Sequence, residues 1–105
     1  MDITTGQTTY ELIRSFDPTT NAPVVPSVFN STVYVDGVIN TGVTVTTTLS
    51  SAPEGIYSLS WSASTLGSYQ LSVENVTTSV VYMSEIYYVK SQSQLNPSAP
   101  IYVGL

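Results

Sequence analysis

The sequence contains neither cysteine nor histidine. Without cysteine there is no disulfide framework, no zinc-thiolate site and no thiol nucleophile. Without histidine the usual general base, the commonest metal ligand and the residue that most easily senses physiological pH are missing. Charge is scarce as well: Arg14 and Lys90 are the only basic side chains against seven acidic ones, a charged fraction of 9% where soluble proteins average about 25%. Two cations cannot neutralise a row of phosphates, which excludes direct nucleic-acid binding and disfavours an anionic membrane surface. No apolar run approaches the roughly 20 residues that a membrane-spanning helix needs. The opening residues, Met1-Asp2-Ile3-Thr4-Thr5-Gly6, have neither the basic start nor the apolar stretch of a secretory signal, so the expected site of synthesis is the cytoplasm.

Hydroxyls take the place of charge. Fifteen threonines and sixteen serines stand where other proteins carry lysine and glutamate. Mixed with Val, Ile and Tyr, they give a β-favouring chain whose apolar residues recur with period two rather than 3.6. A length of 105 residues suits one domain with a single core.

The strongest pattern is a stretch that repeats itself, Glu54 to Asn75 ("EGIYSLSWSASTLGSYQLSVEN"). Gly55, Tyr57, Leu59 and Trp61 recur as Gly67, Tyr69, Leu71 and Val73, with serines or polar residues between them. Strand alternation puts Tyr57, Leu59, Trp61, Tyr69, Leu71 and Val73 on apolar faces, and these six residues are the expected core. The two halves read as a hairpin centred near Thr65, pairing Trp61 with Tyr69, Leu59 with Leu71 and Tyr57 with Val73.

Elsewhere, Thr8 to Phe16 reads as a strand with mixed faces, Tyr10 and Leu12 on one and Glu11 and Ile13 on the other. A proline-marked connection follows through Pro18, Pro23 and Pro26, and pairing resumes near Val28. Asp36-Gly37 supplies a tight hairpin turn. An interruption at Asn40-Thr41-Gly42 signals either a bulge or a strand switch before Val43 to Leu49. Val80 to Val89 reads as one long closing strand. The chain then turns polar and proline-punctuated before the apolar "PIYVGL".

This adds up to an all-β antiparallel sandwich over residues 8–90, with an N-terminal extension over 1–7 and a C-terminal arm over 91–105. The repeated G-x-Y motif, with "SEIYYVK" as a last strand, resembles filamin-type and related bacterial and phage immunoglobulin-like domains across about Val28 to Lys90. The whole profile, acidic and rich in Ser and Thr, resembles small phage virion proteins. That resemblance implies a non-enzymatic capsid decoration, cement or head-fibre protein at the virion surface. Its expected partners are the major capsid protein, other virion subunits or further copies of itself.

Pro100, Ile101, Tyr102, Val103 and Leu105 of the arm, together with Tyr87 and Tyr88, are the candidate partner contacts, because aromatic and apolar side chains without charge suit interfaces, the alternative for the arm being a tail folded back on its own domain. The alternative is a carbohydrate-binding or adhesive module presenting its tyrosines to glycans. No cofactor motif occurs, and the carboxylates show no D-x-D-x-D or clustered spacing that would hold calcium. Asn30-Ser31-Thr32 and Asn75-Val76-Thr77 match the glycosylation sequon, which arises easily in so Ser/Thr-rich a chain.

Overall fold

The computed structural model describes residues 1–91, and the structural statements below concern those. They form nine strands: β1 (Asp2–Thr4), β2 (Thr9–Arg14), β3 (Phe29–Val35), β4 (Val38–Asn40), β5 (Thr46–Ser51), β6 (Ile56–Trp61), β7 (Gly67–Asn75), β8 (Val80–Met83) and β9 (Tyr87–Lys90). No helix occurs among the described residues. One sheet runs β1-β9-β7-β3-β4, with β8 also pairing with β7, and the other runs β2-β6-β5. All pairings are antiparallel except β1 with β9.

The two sheets share one core, and the duplicated motif supplies its centre. Tyr57, Leu59, Trp61, Tyr69, Leu71 and Val73 are all buried. The hairpin expected between the two halves does not form: β6 lies in the three-stranded sheet and β7 in the other. A hairpin would have placed six bulky side chains on one sheet and left the second without a matching apolar face. Instead residues 62–66 carry the chain from one layer to the other, with Ala63 buried. The repeated residues therefore meet across the interlayer space, where the Trp61 ring stacks on Tyr69 at 5.7 Å between centroids. Each half of the motif does the same job for its own layer.

Residues 1–7, expected as an extension, contribute β1 to the sheet. Ile3 is among the most deeply buried side chains, and Tyr88 N–H donates to the Met1 carbonyl at 2.8 Å. Asp36 and Gly37, at φ 52° and 82°, make the expected turn, with Val35 pairing with Val38. The interruption at Asn40-Thr41-Gly42 is a sheet switch, since β4 and β5 lie in different layers.

The long closing strand is broken. Tyr69 pairs with Tyr87, and Ser72 with Met83, so two residues of β7 face three residues of the partner, Ser84 to Ile86. That is a one-residue bulge. Ser84 fills the gap in the ladder: its N–H donates to the Leu71 carbonyl at 2.9 Å, and its hydroxyl accepts from Leu71 N–H at 2.9 Å. The extra residue reverses side-chain parity, so Tyr82 and Tyr87, five positions apart, both turn toward the core and Tyr88 turns outward.

At the other end, the connection from β2 to β3 is tied down by polar contacts. Fully buried Ser15 shares its hydroxyl with Ser27 at 2.6 Å and with the Asn75 side-chain amide, which donates at 2.9 Å. Tyr57 hydroxyl accepts from Ser27 N–H at 3.0 Å. Buried polar groups are tolerated when they satisfy one another in this way.

Candidate interaction surface

The side chains that bear chemistry are mostly used for structure. Arg14 donates through Nη1 and Nη2 to the Asn21 side chain and carbonyl at 2.8 and 2.7 Å, and its guanidinium lies 5.4 Å from the Phe16 ring centroid. Lys90 pairs with Asp2 at 3.2 Å, and the N-terminal ammonium with Glu85 at 3.3 Å. Asp17 accepts from Thr19 N–H and Asp36 from Ser68 N–H, both holding turns. Among the described residues no group of three acidic side chains converges as metal ligands would. Of the two sequons, Asn75 is buried, with its amide spent on Ser15 and its oxygen capping Thr77 and Thr78, whereas Asn30 is exposed on β3.

Glu11 is different. It points from β2 toward the space between the sheets and accepts a 2.6 Å hydrogen bond from the Tyr82 hydroxyl. Burial first, then the Glu11 hydrogen bond and charge and the charge of Glu85, push the Tyr82 phenol up to about 12. Burial and then the same carboxylate push Tyr87 higher still.

Beside this pair the molecule is open. The three-stranded sheet ends at β2, and β8 is covered only on its β7 side, so among the described residues both strands present a bare backbone edge along the same flank. Between them lies a cleft of about 230 Å³ lined by Leu12, Ile13, Phe16, Val73, Val80 and Tyr82. Its rims carry large apolar side chains facing outward, Leu12 at 66% exposure and Val81 at 58%, with Met83 and Tyr10 alongside. Bare edges next to exposed apolar side chains are the features that accept an added strand.

The candidate contacts from sequence separate. Tyr88 is exposed on the outer face of its sheet. Tyr87 is a correction: it is core, 3% exposed, packed edge-on against Trp61 at 5.3 Å, because the bulge turns it inward. Pro100, Ile101, Tyr102, Val103 and Leu105 lie outside the described residues. Sequence reasoning missed the flank formed by β2 and β8. Its one signal was the mixed character of Thr8 to Phe16, in which Leu12 and Tyr10 share a face that nothing among the described residues covers. Comparison of the chain with protein-family models, with curated proteins and with solved structures finds no significant match to any of them.

Proposed function

We propose that this chain is a non-enzymatic immunoglobulin-like sandwich that serves as a virion accessory, a capsid decoration or cement protein that reinforces contacts between subunits. The strand order supports the fold: β9-β7-β3-β4 and β2-β6-β5 correspond to the G-F-C-C′ and B-E-D sheets of a variable-type domain, with β1 moved across to pair with G. The space beside B, where a strand A would lie, is then the open flank. That flank carries the functional reading, because two edges unpaired among the described residues, around a largely apolar cleft that Arg14 and Asn75 also line, fit an extended segment of a neighbouring subunit better than a small polar substrate. The near absence of basic charge leaves main-chain hydrogen bonds and apolar contact as the means of attachment.

The carbohydrate alternative has less support. Among the described residues the two most exposed tyrosines, Tyr10 and Tyr88, lie on different sheets, on outer faces that point away from each other, and make no common platform.

The test is co-sedimentation of the purified chain with shells assembled from a phage major capsid protein, should one be encoded beside it. Leu12→Lys and Val81→Lys should each lower the bound fraction at least tenfold, while Thr48→Lys, on the outer face of β5 away from the flank, should not. Wild-type binding unaffected by both flank substitutions would remove the proposed site. Saturable glycan binding that Tyr88→Ala abolishes would replace the assembly reading with the carbohydrate one.

A further inference from the structure

The edge that β2 leaves bare among the described residues has a definite pattern of free groups. Ser15 N–H donates to the Gly55 carbonyl, so in the ladder between β2 and β6 the residues Ile13, Glu11 and Thr9 turn their backbone groups to β6. Tyr10, Leu12 and Arg14 turn theirs outward. A strand added there would send alternate side chains to two faces. One set would enter the cleft lined by Ile13, Phe16, Val73, Val80 and Tyr82, and the other would lie on the outer face beside exposed Tyr10 and Leu12.

The sequence carries a segment of matching chemistry. Residues 91–105 contain no charged side chain, and Ile101, Tyr102 and Val103 stand in a row as strand-favouring residues. In an extended segment Ile101 and Val103 share one face and Tyr102 takes the other. Two branched aliphatic side chains suit the apolar cleft, and a segment without charge brings no ion that would have to be desolvated.

The tether decides whose cleft it fills. β8 and β9 run on in the same direction along β7, so Lys90 stands about 30 Å beyond Val81 at the cleft. The chain leaves β9 heading away from the cleft and would have to reverse, which spends about three residues. What is left of the tether to Pro100 extends at most about 25 Å. It is too short to lay residues 101–103 in the cleft of its own molecule, whereas the cleft of a neighbour is under no such limit.

We propose that residues 101–103 of one copy add as a strand to the β2 edge of a second copy, with Ile101 and Val103 in the cleft and Tyr102 beside Leu12. The assignment rests on the reading of the flank as an acceptor of an extended segment, and names the occupant. Donor and acceptor are different parts of the chain, so the contact is head-to-tail, and each copy that gives its segment still offers an open edge to the next.

Analytical ultracentrifugation of the full chain over a wide range of concentration tests it. The wild-type chain should associate. The donor variant Ile101→Asp/Val103→Asp and the acceptor variant Leu12→Lys, both altered away from the core, should each raise the dissociation constant at least about tenfold. Mixed together, the two variants should form a one-to-one pair that goes no further, because only one intact edge and one intact segment remain to meet. A wild-type chain that stays monomeric, association that survives either variant, or variants that stay apart when mixed overturns the proposal. Shell binding that Leu12→Lys lowers in a chain that never self-associates would reject the second copy as occupant and keep the flank as an attachment site. Pairing of the mixed variants with shell binding untouched by Leu12→Lys would do the reverse.

Discussion

Gly55 and Gly67 occupy the same place in the repeated motif but are required for different reasons. Gly55 has φ 70°, and a Cβ there would run into the carbonyl oxygen of Ser15 and the side chain of Pro23. Its own carbonyl accepts from Ser15 N–H at 2.7 Å, so neither backbone can withdraw without losing that bond. Gly67 has φ 146° and faces the Asp36 carboxylate. Gly37 is also left-handed but has nothing within 4 Å. These differences rank the alanine substitutions. Gly37→Ala should cost about 1–2 kcal/mol, the left-handed penalty alone. Gly55→Ala adds displacement of packed backbone and should cost about 3–5 kcal/mol. Urea denaturation of the two variants checks the order, and equal losses would rule out crowding at Ser15. The repetition of glycine was legible in the sequence. Its cause was not, because Ser15 and Pro23 reach Gly55 only through the fold, from 40 and 32 positions away.

The core residues of the duplicated strands were legible for a related reason, since strict alternation of serine with bulky side chains admits only one buried face. Which strand pairs with which was not. The same alternation is satisfied by a hairpin on one sheet or by two strands facing each other across the core, and only the need of each layer for an apolar face decides. The break between β8 and β9 is harder to foresee, because "VVYMSEIYYV" reads as continuous until Ser84 is seen bonding Leu71 through both its N–H and its hydroxyl. The hydroxyl acts there as a substitute carbonyl. Ser84→Ala should leave Leu71 N–H buried and unpaired, at a cost of about 1–3 kcal/mol. Hydrogen exchange at Leu71 should then quicken relative to Val73 in the same strand. Unchanged exchange at Leu71 would show that the backbone closes the gap without the serine. The open flank was out of reach of the sequence for a related reason: an uncovered strand edge is a property of which strands lie beside it, and β2 and β8 are about seventy positions apart.

Across the whole molecule, the two layers are joined near the open flank by a carboxylate from one and a phenol from the other, so the closure of the fold is coupled to pH at the alkaline end. In the unfolded chain both phenols lose their protons near pH 10. In the folded chain burial and Glu11 hold Tyr82 to about 12, and Tyr87 is raised further. Below pH 10 both states carry the phenolic protons, and the hydrogen bond to Glu11 contributes fully. Between pH 10 and about 12 the folded state binds more protons than the unfolded one, so stability falls as pH rises. Urea midpoints at about pH 8 and about pH 11 should therefore differ, the second being lower. Glu11→Gln separates the causes: it keeps an acceptor for Tyr82 but removes the Glu11 charge, so burial, the retained hydrogen bond and Glu85 sustain a smaller shift and the fall between the two pH values shrinks. It should not vanish, since burial is the larger cause for both phenols. An identical fall in the variant would show that the Glu11 charge has no part in linking the layers.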